Sequence, residues 1–249
     1  MTTLTIAAAQ SISIAGDIKA NISRHLQFMQ KAADNGVQFL VFPELSLTGY
    51  ERPLARELAI QPDDDILRPL RDLAQQAGMV TVVGVPLIAS GRDKIFIGAL
   101  VLQTDGTIGV YTKKHLHPGE DAVFTHGEGG PPVFVQDSKV ALAICADYTH
   151  PSHARQAAQS GAGIYAAGAL VTDHGYPSET ALLAGYATEH QMLVLLANHG
   201  GATGGWSPTG RSAILAPGGR QVVAAPGLGD TLVVATRDSN HWTGTVIPV

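Results

Sequence analysis

The segment VQFLVFPE, Val37 to Glu44, is a run apolar but for Gln38 that Pro43 closes and a carboxylate follows. Such a run between turn residues reads as a strand buried on both faces. Immediately upstream, Ile18, Ile22, Leu26, Met29 and Ala33 recur at helical spacing between Asp17 and Asn35, and Gly36 stops them. Before that helix, Leu4 to Ala9 forms a short apolar strand. Downstream of Glu44, a second helical pattern runs from Asp64 to Ala77 through Ile66, Leu67, Leu70, Leu73 and Ala74, ends at Gly78, and gives way to the strand MVTVVGV, Met79 to Val85. The order strand, helix, strand, helix, strand places the chain among α/β folds.

Next, KIFIGALVLQ and TIGVYT flank Thr104-Asp105-Gly106, the composition of a tight hairpin, so this pair is expected to be antiparallel. A Pro- and Gly-rich loop spans His117 to Pro132. The alternation then resumes: strand KVALAIC (Lys139 to Cys145), helix Ser152 to Ser160, strand GIYAAGA, helix Ser178 to His190, and strand MLVLLAN. Three short strands around Ala213 to Ala216, Gln221 to Ala225 and Thr231 to Thr236 are expected to close the chain. With no repeat and no break in composition, one domain over residues 1–249 is expected.

Charged residues make up only 15% of the chain and hydrophobic ones 45%, which excludes disorder and implies broad buried faces. The net charge is −5 and no run of five like charges occurs, so neither nucleic acid nor an anionic membrane is an expected partner. No apolar stretch reaches the roughly 18 residues a membrane span needs. The single cysteine, Cys145, excludes an internal disulfide, and MTTLTIAAAQ lacks a basic leader region, so a cytoplasmic, unprocessed protein is expected.

Three polar residues stand where apolar strands run out: Glu44, Lys113 after IGVYT, and Cys145 at the end of VALAIC. Reactive side chains gather at the carboxyl ends of strands in α/β proteins, where a rigid backbone meets a cleft. Each alone has a plain structural reading, as a loop carboxylate, a solvated lysine and an inert core thiol. Together they are a base, an oxyanion stabiliser and a nucleophile.

FPELSLTGY, YTKKHLHPGE with FTHGE, and AICADYTHP resemble, in order, the three signature regions of the nitrilase superfamily of carbon-nitrogen hydrolases, and ATEHQMLVLLANHGG and GRSAILAPGGR resemble its later segments. This resemblance implies an α/β fold of the four-layer α-β-β-α sandwich type and a catalytic triad at Glu44, Lys113 and Cys145. Lys113 fits the family pattern better than Lys114. Glu120 matches a second carboxylate that positions the lysine, with Glu128 the alternative in the same loop. The departures are Ala146, where an aromatic is usual before Asp147, Ser152 after Pro151, and Tyr186 and His190 in the later helix.

The mechanism so implied has Glu44 take the Cys145 proton, with Lys113 and the backbone N–H of Ala146 stabilising an oxyanion and a thioester as intermediate. This mechanism calls for neither metal nor organic cofactor, and the pairs His115 and His117, and His150 and His153, lack companions at a zinc spacing. Tyr50, Phe124, Asp173, His174 and Trp206 are pocket candidates from their loop positions. The expected activity is cleavage of a small linear amide, in the manner of an omega-amidase or short aliphatic amidase. Alternatives on the same triad are hydrolysis of N-carbamoyl groups or of nitriles. From other classes, a silent binding scaffold and a redox-sensing thiol stay open. By analogy with the family, the protein is expected to form a homodimer or a higher homo-oligomer.

Overall fold

In the computed structural model, which describes residues 3–88, 94–239 and 241–249, the chain forms two sheets lying face to face with helices outside each. The elements run β1 (Leu4–Gln10), α1 (Ile18–Asp34), β2 (Phe39–Val41), α2 (Ala55–Leu58), α3 (Arg68–Ala77), β3 (Val80–Ile88), β4 (Ile95–Leu102), β5 (Ile108–Thr112), β6 (Val133–Val135), β7 (Ser138–Ile144), α4 (Pro151–Gln159), β8 (Ile164–Ala169), α5 (Tyr176–Glu189), β9 (Leu193–Asn198), β10 (Ala213–Leu215), β11 (Gln221–Ala224), β12 (Thr231–Asp238) and β13 (His241–Pro248). One sheet has the order β13-β12-β1-β2-β3-β4-β5 and the other β11-β10-β9-β8-β7-β6.

The layering follows from the two-residue period of a strand, which sends successive side chains to opposite faces. Along β1, Ile6 and Ala8 enter the core shared with Leu142, Ala166 and Leu195 of the second sheet, whereas Ala7 and Ala9 face outward onto Phe28 and Met29 of α1. Along β8, Ile164 and Ala166 point inward while Tyr165 and Ala167 meet Ala154 of α4 and Leu183 of α5. The central strands of both layers are therefore buried on both faces, which is why their sequences read as apolar runs rather than as alternation. The four-layer α-β-β-α arrangement is the one expected.

The hairpin between β4 and β5 is antiparallel, with Gly106 at φ +83° and the Asp105 carboxylate accepting from Thr107 N–H. The segment at Val37–Glu44 contributes only Phe39–Val41 as strand, because Phe42 onward leaves the sheet toward the gap between the layers. Two strands beyond those expected appear. The three residues of β6 pair with β7, and β13 pairs antiparallel with β12 along its whole length.

Candidate active site

Glu44, Lys113 and Cys145 meet at one end of the sandwich. Glu44 follows β2 on a segment pressed between the sheets. A Cβ built on Gly84 of β3 would stand 2.4 Å from both Pro43 O and Leu45 N, and one on Gly168 of β8 would stand 2.6 Å from Phe42 O. The Glu44 carbonyl accepts from Nε2–H of His199, which follows β9 (2.8 Å). Lys113 is the first residue past β5, its N–H donating to Ile97 O. Cys145 directly follows β7 and opens a 3-10 turn, Cys145–Asp147, at φ +43°. A non-glycine residue in that region stores on the order of 1–3 kcal/mol of strain, and here the strain turns the half-buried thiol into the cleft.

Asp147 joins the thiol's turn to the lysine's loop. Its Oδ1 accepts from the N–H groups of Lys114 and His115, and its Oδ2 from Ile144 N–H and the Tyr111 hydroxyl. Lys113 itself is fully buried, and its ammonium donates to Glu44 Oε1 at 2.7 Å and to both oxygens of Glu120 at 2.8 Å. Glu120 also accepts from the Tyr50 hydroxyl at 2.6 Å and from His117 N–H at 2.7 Å. Glu128, the alternative partner, is exposed on another part of the loop and does not reach Lys113.

One ammonium between two buried carboxylates leaves an excess of negative charge unless one of them holds a proton. Burial pushes Glu44 up to about 7, with Lys113 pulling it down and Glu120 pushing further up. Its Oε2 is buried and lacks a hydrogen-bond partner among the described residues. Burial would lower Lys113, but Glu44, Cys145 and Glu120 together hold it above the ordinary lysine value. Burial and the Glu44 charge raise the Cys145 thiol well above the ordinary cysteine value, against the pull of Lys113. The resting thiol is thus protonated, and it needs a base to become a nucleophile.

Cys145 opens onto a cavity of about 220 Å³, which Tyr50, Trp206, Ala146, Thr172 and Glu179 help to line. Ala146 occupies the second position of the 3-10 turn, where such turns leave the N–H without a partner of their own. Of the other pocket candidates, Phe124 packs into the core between the sheets, Asp173 is exposed and accepts from the Thr209 hydroxyl, and His174 is exposed; none of the three lines the cavity. His115 stacks on His150 with ring centroids 3.8 Å apart, and His153 is held between Tyr111 and Tyr165. Leu170 and Thr172, just past the end of β8, also line the cavity, and the strand-end argument applied to GIYAAGA would have found them. Glu179 lies on the first turn of α5, where no strand end marks it.

Two buried histidines beside the site make stability depend on pH. Burial holds His25 and His199 down at about 4, so between there and 6.5 the unfolded chain binds protons that the folded one refuses. Their contribution is present above 6.5 and is lost as pH falls. Glu44 works oppositely over the same interval, since its folded value lies above its unfolded one. The net expectation is a loss of about 1–2 kcal/mol between pH 7 and pH 5. Urea midpoints at the two pH values should show it, and Glu44→Gln, which removes the opposing group, should enlarge the loss; an unchanged loss in that variant would refute the account.

This end of the sandwich, with a thiol on a strained turn beside a buried carboxylate-ammonium-carboxylate array, defines a carbon-nitrogen hydrolase. The chain belongs to the carbon-nitrogen hydrolase family, whose model matches residues 5–245. It is a hydrolase of amidase type, acting on carbon-nitrogen bonds other than peptide bonds. It is 30% identical to a nitrilase of Pyrococcus abyssi over 79% of this chain and 75% of that one. It is likewise 30% identical to an (R)-stereoselective amidase of Pseudomonas sp. over 75% and 68%. Among solved structures, an amidase mutant from Nesterenkonia sp. AN1, with acrylamide added at its active-site cysteine, superposes with a TM-score of 0.84 at 25% identity, covering 93% of this chain and 92% of that one.

Proposed function

We propose that the protein cleaves a small linear carboxamide to a carboxylic acid and ammonia through a thioester on Cys145. The observation that carries this reading is the unpaired, buried Oε2 of a carboxylate poised near neutrality beside a protonated thiol. Glu44 takes the thiol proton as sulfur attacks the carbonyl carbon. Lys113 and the Ala146 N–H hold the oxyanion, an effect on the order of 3 kcal/mol for one well-placed donor. The carbon-nitrogen bond breaks as Glu44 returns the proton to the departing nitrogen, and ammonia leaves. Water then gives a proton to Glu44 and its oxygen to the acyl carbon, the carbon-sulfur bond breaks, and the thiolate regains its proton. Glu120 and Tyr50 position Lys113.

A short aliphatic amide fits better than an omega-amide or an N-carbamoyl amino acid. Both of the latter carry a carboxylate, and the cavity lining holds neither Lys nor Arg among the described residues, only the imidazoles of His117 and His150 as basic groups, while it does hold Glu179. Arg52 lies over the Tyr50 ring and Arg211 over that of Tyr176, outside the lining. The cavity, of about 220 Å³, is of a size suited to an amide of a few heavy atoms. Butyramide, seen bound in the Nesterenkonia sp. AN1 amidase, is of this size.

The test is ammonia release from butyramide, omega-amides, carbamoyl amino acids and nitriles, with intact mass spectrometry to trap the acyl-enzyme. Release from butyramide with an adduct on Cys145 is expected, and silence toward every amide would refute the reading. Because the base must be ionised, kcat/KM should rise with pH to a plateau with its midpoint near about 7, set by Glu44. A profile flat from about pH 5.5 to 8.5 would remove Glu44 as the base.

A further inference from the structure

Glu179 is a carboxylate that the hydrolytic cycle does not use. It reaches into the cavity that Cys145 opens onto, from the first turn of α5. The Tyr148 hydroxyl donates to its Oε2 and so fixes the group. Its Oε1 accepts no hydrogen bond among the described residues. That oxygen leans over Gly175, where a Cβ would stand 2.3 Å from it, so the backbone here leaves the space the carboxylate takes. Its charge is close enough to the nucleophile to help hold the Cys145 thiol protonated.

A carboxylate held by Tyr148 and lining a small cavity, whose basic side chains among the described residues are the imidazoles of His117 and His150 and which has no lining Lys or Arg, discriminates by charge. It offers a charge-assisted hydrogen bond to a cation and repels an anion. Building on the reading above, we infer that Glu179 is a specificity-determining residue that selects amides whose acyl chain ends in an ammonium group, such as a short omega-amino amide, and rejects those ending in a carboxylate. The substrate class is thereby narrowed from small linear amides to cationic ones, with neutral amides second.

Binding to the Cys145→Ala protein tests this without turnover. Calorimetric titration with 4-aminobutyramide, butyramide and succinamate should give affinities in that order, with the cation about tenfold tighter than the neutral amide, as one charge-assisted hydrogen bond supplies. In Cys145→Ala/Glu179→Gln the ratio of the first two should collapse toward one, and succinamate should gain. Equal affinity for cation and neutral amide, no binding of the cation, or a ratio unmoved by Glu179→Gln would each overturn the inference. A purely structural role through Tyr148 would weaken all three amides alike and leave the ratio intact, which also counts against it. Butyramide hydrolysis by the unaltered enzyme reports separately on the proposed activity, so the two can fail independently.

Discussion

Cys145→Ala is expected to lower turnover of any amide substrate by about 10⁵-fold, because loss of a covalent nucleophile removes the whole acyl-transfer route and leaves only binding and the oxyanion donors. The fold should survive the change. Alanine fills most of the thiol's space and keeps its backbone strain, so urea midpoints should stay within about 0.5 kcal/mol of the parent. Cys145→Gly separates the two roles of the position. Glycine adopts φ +43° without the side-chain clash, so that variant should be equally inactive yet more stable than Cys145→Ala by about 1 kcal/mol. Residual turnover within tenfold of the parent would rule out the thioester route. Equal stability of the two variants would show that the turn stores no strain.

The second large effect belongs to Lys113. Lys113→Met keeps much of the stem's volume but removes the ammonium that three carboxylate oxygens share. Breaking a buried ion pair from one side costs about 3–5 kcal/mol, because the remaining charge is left uncompensated. Glu44, which burial already pushes up to about 7, can escape part of that cost by taking up a proton, so the loss should be large at pH 8 and smaller at pH 5.5. Activity should fall by at least about 10³-fold, since an oxyanion donor goes together with the charge that favours the thiolate. Urea titrations at both pH values, with rates on butyramide, check both parts. A variant at pH 8 within 1 kcal/mol of the parent would mean that the array is not the strongly coupled unit its geometry describes.

Much of this site is written at strand ends. FLVFPE and VALAIC end on their polar residue and Lys113 directly follows IGVYT, each where the apolar run stops; β2 and β3 are parallel, β5 runs in their direction because β4 reverses the chain between β3 and β5, and β7 to β9 are parallel in the other sheet. What eludes one-dimensional reading depends on loops. Glu120 and Glu128 lie in the same Gly-rich segment, and only the tight turn from His117 to Glu120 aims one of them at Lys113. Asp173 and His174 follow β8 as directly as Thr172 does, yet the chain turns there and sends them to solvent. β13 is hidden for another reason. HWTGTVIP is polar, interrupted by Gly244 and largely exposed, and it is a strand because β12 offers it an edge rather than because of its own pattern.

The close approach of Gly84 and Gly168 to residues 42–45 bears on how this enzyme can be altered. The position of Glu44 is dictated by backbone against backbone, and no side chain stands between to be trimmed or enlarged. Alanine at either glycine would have to shove the peptide that carries the base, so the machinery offers no graded adjustment from beneath. The opposite wall, formed by Trp206, Thr172 and the start of α5, consists of loop and helix-end side chains that can be exchanged one at a time. Re-engineering of substrate choice should therefore start from that wall, with the floor of the cleft left untouched as a fixed platform.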